Sequence, residues 1–95
     1  MNGDEISVRV IIEGRVQRVW FRGWTIEQAG HRGLRGWVRN RRDGTVEALF
    51  TGPRPAVEEM IVACRQGPPA ARVAKISQFP AEDDGAEDFR PLPTA

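Results

Sequence analysis

Residues 14–22, GRVQRVWFR, hold the side chains and the spacing best suited to chemistry in this sequence. They form a short connection between a predicted strand and a predicted helix. In such a loop successive main-chain N–H groups can converge on an anion, and the start of a helix adds a partial positive charge. Arg22 at the helix start can donate two parallel hydrogen bonds to anionic oxygens. The stretch therefore predicts a binding site of phosphate size, although it matches neither a Walker A loop nor the Gly-x-Gly-x-x-Gly motif.

No side chain stands out as a covalent nucleophile or a general base. Cys64 lies on a predicted apolar helix face, and His31 lies near the end of a predicted helix at the surface or in a cap. Ser77 is on a predicted strand without a histidine nearby in sequence, which disfavours a serine triad. The acidic residues at 82–88 are expected to form a solvated loop. Any hydrolysis would depend on binding, on positioned water and on an already activated substrate.

Alternating and helical patterns predict the elements that must position these residues. Predicted strands cover residues 6–13, 34–41, 45–51 and 71–79, predicted helices cover 22–33 and 55–66, and 89–92 form a possible short edge strand. Gly14 is expected to end the first strand and Gly33 to cap the first helix. Asp43-Gly44 is typical of a hairpin turn. Ile11, on the polar side of the first strand, favours a central position in the sheet.

The order β-α-β-β-α-β predicts an α+β fold, the ferredoxin-like split βαβ sandwich, with two helices on one face of an antiparallel sheet. The first strand would lie between the third and fourth, and the second would pair with the third. Residues 15–22 and Asn40 would then share one end of the sheet. The first and second strands would lie about 10 Å apart, a gap that a small substrate could bridge.

Length and composition restrict the class of protein. The chain has 95 residues, which predicts a single domain over residues 1–95 with a core at about 6–92. One cysteine and one histidine exclude an internal disulfide framework and a zinc site of Cys and His ligands. No apolar run approaches the length of a membrane span, and the N-terminus lacks a secretory signal. We expect a cytoplasmic protein, without a metal, that binds no membrane.

Arginine dominates the positive charge. The net charge is +1, yet Lys75 is the one lysine among 14 basic residues. Residues 1–54 contain ten arginines and six acidic residues, a balance of +4. Two explanations stay open: arginine-rich codon usage, and an anion site that uses guanidinium groups.

Residues 14–22 and residues 36–48, GWVRNRRDGTVEA, closely resemble the two signature motifs of acylphosphatases. Gly67-Pro68, followed by Ala71 and Val73, is similar to the link between the second helix and the fourth strand in that family. The resemblance extends from about Val8 to Pro91. Two long motifs at the right separation are far more specific than a lone glycine pattern.

The resemblance implies hydrolysis of the carboxyl-phosphate bond of small acyl phosphates to a carboxylate and inorganic phosphate. It implies that Arg22 and the loop N–H groups hold the phosphoryl group, that Asn40 positions the attacking water, and that neither metal nor organic cofactor is used. The loop residues implied to bind phosphate are Arg15, Val16, Gln17, Arg18, Val19, Trp20 and Phe21. A strong base matters less here because the carboxylate is a good leaving group.

Arg18 departs from the family pattern, which usually has glycine at this position. If the loop requires a positive φ there, arginine costs roughly 1–2 kcal/mol of backbone strain. Its side chain would either crowd the loop or lean outward and strengthen the field for an anion. The other candidates also have structural explanations: Arg22 could pair with Glu27, Asn40 could merely begin the hairpin, and Gln17 could brace the loop.

Two other functions stay open beside hydrolysis. A non-catalytic phosphate or acyl-phosphate binding module would have the same fold, with Arg18 as the mark of lost activity. An RNA-binding sandwich is disfavoured because the first and third strands lack exposed aromatic pairs and the net charge is small. Trp20, Trp24 and Trp37 are expected to pack in the core and at its rim. We expect a monomer that acts on a small acyl phosphate and binds no nucleic acid.

Overall fold

The computed structural model describes residues 4–95, which form five strands and two helices. In chain order the elements are β1 (Glu5–Arg15), α1 (Phe21–His31), β2 (Arg35–Asn40), β3 (Val46–Pro53), α2 (Arg54–Gln66), β4 (Arg72–Pro80) and β5 (Phe89–Pro91). Each element expected from the sequence is present within a few residues of its predicted bounds.

The strands form one sheet in the order β4-β1-β3-β2-β5. β1 lies between β3 and β4, β2 pairs with β3, and these three pairings are antiparallel as predicted. The central place of β1 confirms the inference drawn from Ile11. β5 is the short edge strand that the sequence offered at 89–92. Its parallel pairing with β2 was not predicted, and it makes the complete sheet mixed rather than antiparallel. The fold is the predicted ferredoxin-like sandwich with one extra strand.

A single hydrophobic core lies between the helices and one face of the sheet. Val10, Ile12 and Phe50 point into it from the strands, while Phe21 and Met60 enter it from α1 and α2. All five side chains are almost completely buried. The side chains that alternate with these along each strand point to the opposite face of the sheet, which neither helix covers.

On the helix-free face, one buried carboxylate connects three neighbouring strands. Glu47, on β3, is only 5% exposed. It accepts hydrogen bonds from Arg9 Nη1 at 2.9 Å and from Arg39 Nε at 2.8 Å. The Arg9 guanidinium lies 4.6 Å from the ring centroid of Phe79, and that of Arg39 lies 4.8 Å from the ring of Trp37. These contacts link β1, β3 and β2.

Gly14 does not end the first strand, and that prediction is wrong. β1 continues to Arg15 through a β-bulge between Glu13 and Gly14. Gly14 has φ +127°, and a Cβ there would collide with the carbonyl oxygen of Arg72 on β4. The glycine therefore bends the strand within its ladder rather than stopping it. The bend leads directly into the loop before α1.

Gly33 caps α1 as predicted. It has φ +67°, and its N–H donates to the Gly30 carbonyl at 3.1 Å. The N–H of Leu34 donates to the Ala29 carbonyl at 3.0 Å. The two bonds form a Schellman motif, which satisfies carbonyls at the helix end and turns the chain into β2.

Candidate active site

The loop between β1 and α1, residues 16–20, contains two left-handed residues. Arg18 has φ +64° and Trp20 has φ +66°. Arginine at position 18 therefore has the positive φ at which a residue with a Cβ is strained. Left-handed residues beside residues of negative φ allow neighbouring N–H groups to converge on one side, the geometry of an anion-binding nest.

The main-chain N–H groups of residues 16–23 have no protein acceptor within residues 4–95. The first helical hydrogen bond of α1 runs from Trp24 N–H to the Trp20 carbonyl at 3.0 Å. No side chain caps this helix start. A helix always leaves its first N–H groups without partners, and here the loop extends that unpaired run backwards. Such a surface is suited to an anion.

A cleft of about 230 Å³ opens beside the loop. Its lining residues are Val16, Arg18, Trp20, Phe21, Arg22, Gly23, Asn40 and Pro91. The structure therefore brings Arg22 and Asn40 to one cavity, from the start of α1 and the end of β2. The lining residues include two arginines and one asparagine but no aspartate or glutamate.

Both arginines of the cleft are exposed. Within residues 4–95, neither Arg18 nor Arg22 forms an ion pair or a side-chain hydrogen bond. Arg22 in particular does not pair with Glu27, the structural alternative considered for it. The cleft therefore has two lining arginines whose charges no described acidic group compensates.

Main-chain hydrogen bonds hold the chain at Asn40 and just after it. Its carbonyl accepts the N–H of Ala95 at 3.0 Å, and the N–H of Arg42 donates to the Ala95 carbonyl at 2.8 Å. In the adjoining turn, Asp43 Oδ1 accepts the hydroxyl of Thr45 at 2.7 Å and its N–H at 3.0 Å. The hydroxyl bond, followed by the N–H bond, lowers the pKa of the Asp43 carboxyl. The turn thus holds the end of β2 in place.

Gln17 faces the hairpin rather than the cleft. Its Nε2 donates to the Arg41 carbonyl at 2.8 Å and to the Thr45 carbonyl at 2.9 Å. These bonds support the bracing role that was considered for Gln17. They connect the loop on one side of the cleft to the hairpin that follows Asn40.

Two more residues of the expected phosphate loop have side chains outside the cleft. Arg15 is the exposed last residue of β1, opposite Arg72 on β4. Val19 is half-buried and packs against the core. Any contribution of these residues to the cleft would come from the backbone.

Trp20 does not pack into the core or its rim, so that prediction is wrong for this residue. Its side chain is 58% exposed and lines the cleft. The left-handed backbone at Trp20 lays the indole over Gly23, where a Cβ would collide with the ring nitrogen. Trp24 and Trp37 are half-buried, as expected.

Pro91 is a cleft residue that sequence reasoning missed. It belongs to β5 and pairs with Val38 on β2, which brings it beside Asn40. The only sequence signal was a short possible strand of unknown partner. Its place depends on the parallel pairing, which no local pattern specified.

The residues set aside as nucleophiles or ligands lie away from the cleft. Cys64 is fully buried, and burial raises the pKa of its thiol to about 12. His31 is exposed at the end of α1, and Ser77 lies on β4. Within residues 4–95, no group of three or more His, Cys, Asp or Glu side chains could hold a metal ion. No helix there has the length and apolar character needed to cross a membrane.

Comparison with known proteins identifies the family. The acylphosphatase family model matches residues 8–91. The chain is 55% identical to the acylphosphatase of Rhodospirillum rubrum over 93% of this chain and 97% of that protein. It is 52% identical to the acylphosphatase of Rhizorhabdus wittichii over 96% of this chain and 92% of that protein.

A solved structure agrees with these sequence relatives. The crystal structure of the acylphosphatase from Bacillus subtilis matches the fold with a TM-score of 0.88 at 38% identity. The match covers 92% of this chain and 98% of that one. With the family model, the sequence relatives and this fold in agreement, the chain belongs to the acylphosphatase family.

Proposed function

We propose that this acylphosphatase hydrolyses small acyl phosphates in the cleft between Arg22 and Asn40, releasing a carboxylate and inorganic phosphate. The observation that carries the proposal is the meeting of three features in one cavity. These are an arginine that has no partner within residues 4–95, an asparagine, and lining residues of the 16–23 stretch whose N–H groups have no protein acceptor there. The family relation supports the reaction type.

The phosphoryl group binds in the loop. The N–H groups of residues 16–23 donate to its non-bridging oxygens, and the Arg22 guanidinium binds two of them as a fork. Because no carboxylate lines the cleft, nothing there repels a dianion. Donors fixed in advance stabilise the charge on these oxygens in the transition state without rearranging.

Asn40 orients the attacking water. Its side-chain oxygen accepts a hydrogen bond from the water, so that the water oxygen lies in line with the bond that breaks. The new P–O bond forms as the bond from phosphorus to the acyl oxygen breaks. The electron pair leaves with the carboxylate, and both water protons stay on the phosphate as H₂PO₄⁻. No protein side chain has to take up a proton, which fits a cleft without a base.

The experiment is hydrolysis of benzoyl phosphate by the wild type and by two cleft variants. We expect turnover without added metal and unchanged in EDTA, with competitive inhibition by inorganic phosphate. Arg22→Ala should raise KM and lower kcat together, because the guanidinium contacts ground state and transition state. Asn40→Ala should mainly lower kcat, on the order of 10²-fold.

Arg65→Gln is the matched control. Arg65 is exposed near the end of α2 and does not line the cleft, so its loss should leave kcat and KM unchanged. Normal kinetics in both cleft variants would disprove the site assignment. Phosphate binding without turnover by the wild type would favour the binding module instead.

We further propose that residues 1–95 act as one domain, as a monomer in the cytoplasm, and bind no nucleic acid. The single hydrophobic core supports one domain. The net charge of +1 and the ion pairs that occupy Arg9, Arg35 and Arg39 support the absence of a nucleic-acid surface. Light scattering of the purified protein tests the monomer. A gel-shift titration with RNA tests the absence of nucleic-acid binding.

A further inference from the structure

Arg18 is a charged residue of the cleft whose side chain has no role in the proposed mechanism. Its N–H group belongs to the loop, and the residue is exposed and lines the same cleft as Arg22. Seven other arginines form ion pairs: Arg9, Arg32, Arg35, Arg39, Arg41, Arg54 and Arg90. Arg18 forms none within residues 4–95. Its charge is therefore free to act on a ligand.

The backbone at Arg18 gives no reason for an arginine. Its φ of +64° lies in the left-handed region, where glycine is unstrained and a residue with a Cβ is not. No ion pair or side-chain hydrogen bond to the described protein offsets that strain. Strained residues of this kind concentrate at functional sites. The side chain, rather than the fold, is what distinguishes arginine from glycine here.

The direction of the reaction places the acyl group near the mouth of the cleft. In an in-line displacement the leaving carboxylate lies opposite the attacking water. With the phosphoryl group in the loop and the water at Asn40, the acyl group points away from Asn40. Arg18 is a lining residue of this cleft and is exposed to solvent.

We propose that Arg18 is a specificity-determining residue that favours acyl phosphates whose acyl group carries its own negative charge. The inference rests on the proposed function. A carboxylate or a second phosphate on the acyl group would accept the guanidinium fork. No acidic residue lines the cleft to compete for Arg18. The substrate class is thus a small acyl phosphate with a second anionic group.

The test compares 4-carboxybenzoyl phosphate with benzoyl phosphate. The two substrates share the ring and the reacting bond and differ by one para carboxylate, which the rigid ring keeps from attacking the acyl phosphate. The measured quantity is kcat/KM for 4-carboxybenzoyl phosphate divided by kcat/KM for benzoyl phosphate. Any change common to both substrates cancels in this ratio. Arg18→Gln removes the charge but keeps a Cβ in the strained backbone, and Arg18→Gly removes both. Arg65→Gln is the control for general loss of positive charge.

We expect the ratio to fall about tenfold in both Arg18 variants and to stay constant in Arg65→Gln. The wild-type ratio should also fall as salt rises, because the guanidinium is exposed. A loss of kcat/KM that is equal for the two substrates would assign Arg18 to the phosphoryl group and overturn the proposal. An unchanged ratio without any loss would overturn it as well. Failure of the wild type to hydrolyse benzoyl phosphate would instead reject the proposed function, on which this inference depends.

Discussion

The side-chain amide of Gln17 donates a hydrogen bond to the main-chain carbonyl of Thr45 at 2.9 Å. The same nitrogen donates to the Arg41 carbonyl at 2.8 Å. One side chain therefore connects the loop that carries unpaired N–H groups with the hairpin that follows Asn40. The relative position of the two walls of the cleft depends on this connection as well as on the sheet.

Replacing Gln17 should impair both folding and catalysis. Gln17→Ala removes two hydrogen bonds, and we expect a loss of about 1–2 kcal/mol in the free energy of unfolding. Because the loop and Asn40 are no longer held together, kcat for benzoyl phosphate should fall about tenfold. Urea unfolding and steady-state kinetics measure the two effects. Gln78→Ala, at an exposed position of β4, is the control, and a kcat equal to that control would contradict a positioning role.

Arg18→Gly should stabilise the protein. Arg18 has φ +64°, so glycine removes the left-handed strain and should raise the free energy of unfolding by about 1 kcal/mol. Arg18→Gln keeps a Cβ and should stay within about 0.5 kcal/mol of the wild type. Chemical denaturation of the three proteins side by side is sufficient. Equal stability of the two variants would show that the loop relaxes around a side chain.

Glu47→Gln should destabilise the sheet. Glu47 is 5% exposed and accepts hydrogen bonds from two arginines. The neutral amide can satisfy only part of these partners, so we expect a loss of about 2 kcal/mol in urea unfolding. Glu58→Gln, on an exposed face of α2, should change little. A loss no larger than in this control would show that Arg9 and Arg39 find other partners.

Because Cys64 is buried, we expect the folded protein to lose stability in alkali. Burial raises the pKa of its thiol from 9.0 to about 12. Above pH 9 the unfolded chain therefore releases this proton while the folded chain keeps it, and stability falls as pH rises, by up to about 1.4 kcal/mol per pH unit. The sequence contains no tyrosine, so no phenol ionises in this range.

The comparison variant for that prediction is Cys64→Ala. Its stability at neutral pH will differ because a core atom is missing, so the slope between pH 9 and 11 is the quantity to compare. The wild type should show the steeper decline in thermal or urea unfolding. Parallel slopes in the two proteins would contradict a buried, protonated thiol.

The sequence predicted the sheet well where patterns are local. Asp43-Gly44 predicted the hairpin, and Gly33 predicted the end of α1, since each residue type meets a specific backbone need. Gly14 was likewise expected to end its element, but it forms a β-bulge, because the backbone of Arg72 on β4 lies against it. That neighbour is distant in sequence and cannot be inferred from residues 13–15.

The position of the cleft could also be predicted from the sequence, but two of its lining residues could not. Strand directions alone brought residues 15–22 near Asn40, and the motif resemblance supplied their implied roles. The exposure of Trp20 depends on its left-handed backbone, which a large aromatic residue does not suggest. Pro91 depends on the parallel pairing of β5 with β2. Both features come from tertiary context rather than from residue type.

The extra strand also changes how the sheet could associate with other chains. An unpaired outer strand is a template for aggregation. At the β5 side, Pro91 lies in the strand and Pro93 follows it, and neither has an N–H to donate. At the other side, β4 carries the exposed charges of Arg72 and Lys75. The β5 edge is therefore a poor template for pairing with another chain, and pairing two copies at β4 would bring like charges together.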